Sequence, residues 1–93
     1  MITMLSYTAS TLQKLEELLR LKNYKIRYEK GNFKSGTCTL LQDKILVVNK
    51  FSDMEVKINS IADVVASLDF SNITLNDKQK KFLYLIKQTK LNL

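Results

Sequence analysis

The side chains of this sequence that could engage a partner are mostly cationic, with two aromatic rings among them. Lysine and arginine bind phosphate or carboxylate oxygens, and an exposed aromatic ring stacks on a base or enters an apolar pocket. The chemistry indicated is therefore binding to an anionic surface, without a covalent step. The candidate interaction residues are Lys25, Arg27, Lys30, Phe33, Lys34, Lys80, Tyr84 and Lys87.

Catalytic chemistry has few candidates here, because the sequence contains no histidine and one cysteine, Cys38. A Cys38 nucleophile would need another base or a lowered pKa, whereas a free cysteine on a strand usually packs as a small apolar residue. Histidine and cysteine sets of the kind that hold zinc cannot be assembled. We expect no catalytic residue, no metal and no cofactor, and hence a chain that is not an enzyme.

Length and charge describe a single small domain over residues 1–93. Of the residues, 45% are hydrophobic and 26% charged, as in folded soluble domains. The net charge of +6 is uneven, with +5 in residues 1–52, −3 in 53–76 and +4 in 77–93. This pattern favours anionic partners, although lysines also simply solubilise small domains.

The N-terminal stretch MITMLSYTAS has neither the basic region nor the apolar run of a signal peptide, and no stretch approaches the ~20 apolar residues of a membrane span. A lone cysteine cannot form an intramolecular disulfide. We therefore expect a cytoplasmic protein without membrane contact.

Three strands are predicted between residues 24 and 48. Apolar and polar side chains alternate over 24–29, which indicates a strand with one solvated face; strands over 37–41 and 45–48 follow. Gly31 and Gly36 predict a hairpin tip between the first two. The prediction is a three-stranded antiparallel meander, in which the run 45–48 is apolar on both faces and must be covered on both.

Helices are predicted on either side of these strands. The first spans about 10–22 behind a cap at Ser10 or Thr8, and the second runs to about residue 68 behind Ser52 or Asp53. A third, over about 77–90, directs Phe82, Leu85 and Ile86 inward and Lys80, Tyr84 and Lys87 outward. The predicted class is α+β, in the order α-β-β-β-α-α.

Three resemblances accompany this order. The succession α-β-β-β-α resembles the double-stranded RNA-binding domain, but Asp53 and Glu55 stand where that family has lysines. The passage ILVVNKFSDMEVKINSIADVVASL resembles the core of the small zinc peptidases associated with phage-repressor cleavage, with Ala62 and Ala66 in place of the two histidines of HExxH. That resemblance implies the scaffold without peptidase activity. As a whole, the chain resembles short bacterial domains of unknown function.

The function we expect is a non-enzymatic interaction module whose partner is a protein, including a second copy in a homodimer. A meander with helices on one side hides only one face of the strand 45–48, and a dimer would cover the other. The alternatives are a nucleic-acid-binding domain that uses its lysine and arginine faces, and a degenerate enzyme scaffold with a regulatory role.

Overall fold

A computed structural model of the chain describes residues 5–30, 38–41 and 44–91, and within them the elements follow in the predicted order. The helix bounds differ from the predicted ones by one or two residues at most. The elements are α1 (Ala9–Leu21), β1 (Lys25–Glu29), β2 (Cys38–Leu41), β3 (Ile45–Asn49), α2 (Met54–Ser67) and α3 (Asp77–Leu91).

The pairing of the strands differs from the prediction. The sheet has the order β1-β3-β2; β1 pairs with β3 in parallel and β2 pairs with β3 antiparallel. The antiparallel meander is therefore wrong. The predicted hairpin tip at 31–36 lies outside the described residues. A hairpin there would make β1 and β2 neighbours in the sheet, whereas β3 lies between them.

The apolar run of β3 explains its central position. A strand buried on both faces reads as a continuous apolar run, and it gains most from a neighbour on either side. Leu46 and Val48 are fully buried and Val47 is 9% exposed, whereas Ile45, on the same face as Val47, is half-buried. The alternating strand β1, which has one polar face, takes the edge.

One face of the sheet packs on the helices. Leu46 and Val48 join a core cluster with Leu15 and Leu19 of α1 and Ile61 of α2. The helix α3 packs mainly against α2 and contributes the buried Ile86. It therefore extends the helical layer of its own chain.

Local signals fix where α1 begins and ends. The Thr8 hydroxyl accepts a hydrogen bond from the backbone N–H of Thr11 at 3.2 Å, which caps the first turn. After the helix, Asn23 adopts a positive φ of 67°, a conformation that asparagine tolerates better than most residues. The chain thereby turns directly into β1.

Candidate functional site

A groove of about 480 Å³ lies between α1 and the first turns of α3. Its apolar lining comes from Leu18 of α1 and from Phe82 and Leu85 of α3. Leu18 is fully buried and the other two are half-buried, so the groove exposes part of the core. Cationic side chains also line the groove: Lys14, Lys78 and Lys81.

The two helices present these side chains because of helical periodicity. On α3, Lys78, Lys81, Phe82 and Leu85 are three or four residues apart and so share one face. The same spacing places Lys14 of α1 one turn before Leu18. Of the apolar and cationic lining, α3 therefore contributes two apolar side chains with two lysines beside them, and α1 contributes one leucine with one lysine. Both helices pack on α2, which brings the two sets together.

A hydrogen-bonded cap holds the start of α3. The side-chain oxygen of Asn76 accepts from the Gln79 backbone N–H at 2.8 Å, and the Gln79 side-chain oxygen accepts from the Asn76 backbone N–H at 3.0 Å. This reciprocal pair satisfies two backbone donors that a helix start otherwise leaves free.

Gln79 also ties α3 to α1. Its Nε2 donates to the Glu17 carboxylate at 2.7 Å, across the groove. Lys14 adds a second link, because its Nζ lies 5.7 Å from the centre of the Phe82 ring, within reach of a cation–π interaction. The relative position of the two helices at the groove is thus set by polar contacts as well as by packing.

The groove is electropositive. Three lysines against one glutamate among its lining residues give a net charge of +2. The glutamate already accepts a hydrogen bond from Gln79. An apolar surface beside unneutralised cations attracts a ligand that carries both apolar and acidic groups.

The predicted residues on β1 lie apart from this groove. Lys25, Arg27 and Lys30 are exposed, and Arg27 forms an ion pair with Glu29 two residues along the same strand. Phe33 and Lys34 lie outside the described residues.

The predicted residues on α3 do not line the groove either. Lys80 is exposed, and Tyr84 is 65% exposed with its hydroxyl accepting from Gln88 Nε2 at 3.0 Å. Lys87 is half-buried near Asp69, whose pKa is lowered mainly by a hydrogen bond from the Ser71 backbone and further by nearby lysines. The described members of the predicted set lie on or beside two elements, β1 and α3, and α3 packs mainly on α2.

None of the polar and charged groove residues was among the candidate interaction residues: Lys14, Glu17, Asn76, Lys78, Gln79 and Lys81. One signal was present in the sequence, since Asn76 and Gln79 have the spacing of a capping box just before an apolar run. No comparable local signal relates Lys14 to α3, because that relation arises only from packing.

A second polar cluster joins β1 to the helices. The Tyr28 hydroxyl donates to the Glu16 carboxylate, and the Arg20 guanidinium lies 3.7 Å from that carboxylate. Burial, followed by the neighbouring Glu16, raises the pKa of Tyr28 far above its ordinary value. Tyr28 therefore keeps its proton and acts as a donor that fastens β1 to α1.

The chain matches no protein-family model, and neither the curated proteins nor the solved structures include one that is detectably similar to it. The resemblance to a zinc-peptidase core stays a prediction. Within the part of the chain that the structure describes, no cluster of three or more histidine, cysteine, aspartate or glutamate side chains is placed to hold a metal ion. In that same part, every helix is too short or too polar to cross a membrane.

Proposed function

We propose that this chain is a non-enzymatic protein-interaction module whose groove between α1 and α3 binds an acidic, amphipathic segment of a partner protein. The observation that carries the proposal is the combination, in one groove, of a half-buried apolar lining with three lysines. A second protein contact, with another copy of this chain, is carried by a different surface, the edge strand β1. The single cysteine suits a cytoplasmic setting for the module.

An amphipathic helix is the form of partner that fits best. Such a helix presents apolar side chains at positions i, i+3 or i+4, and i+7, which enter an apolar groove, while flanking acidic residues meet its cations. Here Phe82 and Leu85, which are half-buried in the free chain, would be covered by those apolar anchors. Carboxylates on the flanks of the helix would pair with Lys14, Lys78 and Lys81.

Nucleic-acid binding is the competing function, and the distribution of the lysines weighs against it. A duplex or strand is held by a continuous row of cations that follows the phosphates. In this chain the described predicted cations lie on or beside two different elements, β1 and α3. Several lysines also lie over aromatic rings within their own chain. For example, the Lys22 Nζ is 5.8 Å from the centre of the Phe70 ring, so part of this side chain packs on the protein and is not free to contact phosphates.

The test uses a designed probe, a fluorescein-labelled helical peptide of about 15 residues with leucines on one face and glutamates on the other. Two matched peptides replace the glutamates by lysines or the leucines by serines. Fluorescence anisotropy with the full chain should show binding of the first peptide and at least about tenfold weaker binding of both controls, since each loses one of the two attractions. Equal binding of the acidic peptide and its lysine counterpart would overturn the proposal.

Two neighbouring lysines supply a matched pair of variants. Lys81 lines the groove and Lys80 does not, so Lys81→Glu should weaken peptide binding about tenfold or more while Lys80→Glu changes it less than about threefold. An equal loss in both variants would show that only net charge matters. A labelled 20-nucleotide single strand that binds more tightly than the peptide, with steep loss of affinity between about 50 and 200 mM salt, would favour the nucleic-acid function instead.

A further inference from the structure

We infer that β1 is a docking edge for the β1 strand of a second copy of this chain, in an antiparallel pair that joins the two sheets about a two-fold axis. This goes beyond the groove, which lies between α1 and α3. The strand carries the inference because its outward backbone groups and its side chains are complementary to themselves in one register.

The backbone of β1 directs alternate residues toward β3. The Glu29 carbonyl accepts from the Lys50 N–H at 3.1 Å, and Glu29 is paired with Asn49 in the parallel ladder. In a parallel pair, a strand bonds one neighbour through the backbone groups of every second residue. The backbone N–H and C=O groups of Lys25 and Arg27 therefore also point toward β3. Those of Ile26 and Tyr28 point outward, away from the sheet. In the described sheet β1 is an edge strand, so no described strand receives those groups.

An antiparallel register centred on Arg27 uses all of these outward groups. Ile26 then lies opposite Tyr28 of the second copy, and Tyr28 opposite its Ile26. Residues that face each other with outward groups exchange two hydrogen bonds, so the two pairs make four. The same pairs place an isoleucine beside an aromatic ring, which is a favourable cross-strand combination.

The charged side chains fit the same register. On the other face of the strand, Lys25 lies opposite Glu29 of the second copy, and the reverse pair is formed by symmetry. These are the non-hydrogen-bonded positions, where opposed residues are closest, at about 4.5 Å between Cα atoms. The two Arg27 side chains meet at the axis, and each already has its own Glu29 as an ion-pair partner.

Neighbouring registers are poorer. A shift toward the N-terminus needs the Tyr24 N–H, which donates instead to the Leu19 carbonyl at 2.9 Å. A register centred nearer the C-terminus places Ile26 opposite Lys30 of the second copy, and Lys25 then no longer faces Glu29. The centred register is the one in which Ile26 and Tyr28 face each other and Lys25 faces Glu29, while Arg27 at the axis keeps Glu29 of its own strand as ion-pair partner.

Charge reversal tests the dimer in the full chain. Sedimentation velocity from 1 to 200 μM should show a dimer, and Lys25→Glu or Glu29→Lys should each raise its dissociation constant at least about tenfold, because two attractive pairs become repulsive. The double variant Lys25→Glu/Glu29→Lys restores the pairs with their signs exchanged, so its dissociation constant should return to within about threefold of the original. Lys80→Glu, on exposed α3 surface, is the control for net charge.

Cross-linking tests the register. In a Cys38→Ala background, Arg27→Cys should oxidise readily to a disulfide dimer, since its Cα atoms face each other across the axis within disulfide reach. Glu29→Cys, which faces Lys25, should do so several times more slowly. Any of three results would overturn the inference: a chain that remains monomeric at 200 μM, a double variant whose dissociation constant does not return toward the original, or equal cross-linking at both positions. Circular dichroism melts verify that every variant is folded.

Discussion

The side chain of Gln79 offers the sharpest test of how the groove is held, because it makes contacts in two directions. Its oxygen completes the cap of α3 and its nitrogen donates to Glu17 of α1. In Gln79→Ala both contacts are lost. Removal of the cap contact costs about 0.5 to 1 kcal/mol, and the bridge to an exposed carboxylate about the same. The better helix propensity of alanine returns a few tenths of a kcal/mol.

The expected net loss is therefore about 1 kcal/mol in the free energy of unfolding. Urea denaturation measures it directly, and the melting temperature should fall by about 4 to 8 °C for a domain of this size. Gln88→Ala is the matched control, since it makes the same change on the same helix and removes only an exposed contact to the Tyr84 hydroxyl. The propensity gain is common to both variants and cancels in the comparison.

A third variant separates the two contacts. Gln79→Glu keeps an oxygen that can reach back to the Asn76 N–H, but it replaces the bridge to Glu17 by two facing carboxylates. It should be less stable than the native chain, and binding of the acidic peptide should weaken with it because a negative charge enters the groove. If Gln79→Ala and Gln88→Ala are equally stable, the cap and bridge do not hold α3, and the reasoning fails.

Two further predictions concern the core and the Tyr28 contact. Ile61→Ala and Val65→Ala should each lower the free energy of unfolding by about 2 to 4 kcal/mol, because both side chains are fully buried under the sheet. Val56→Ala, at an exposed position of the same helix, should lower it by less than about 1 kcal/mol. Similar urea midpoints for Val65→Ala and Val56→Ala would contradict this. Tyr28→Phe should be less stable than the native chain at pH 7 to 9. The raised pKa of Tyr28 means that the folded state holds this proton more tightly than the unfolded state, so the advantage over Tyr28→Phe should shrink as the pH rises above about 10; an advantage that grows with pH would have the wrong sign.

The helices could be predicted from the sequence because their signals are local. Thr8 was one of two predicted caps for α1, and the apolar spacing bounds α2 to within a residue or two. Caps and periodicity act within about four residues, so they survive without knowledge of the rest of the fold.

The pairing of the strands could not be predicted in the same way, since it depends on contacts between distant residues. The two glycines favoured a hairpin between β1 and β2, which is a local inference. The apolar run of β3 was the better guide: a strand buried on both faces belongs at the centre of a sheet, and an alternating strand such as β1 belongs at its edge. Both patterns are present in the sequence, and in the folded chain they outweigh the turn signal of the two glycines.

The groove depends on a charge arrangement that folding creates. Lys14 belongs to the basic first half of the chain, while Lys78 and Lys81 belong to its basic end, and an acidic stretch separates them in sequence. Packing of α1 and α3 on α2 brings these like charges to one groove, which costs stability through their repulsion. Glu17 offsets only part of that cost, because one carboxylate stands against three lysines. A ligand that supplies carboxylates would relieve the rest, and binding should therefore raise the melting temperature of the chain as well as fill the groove.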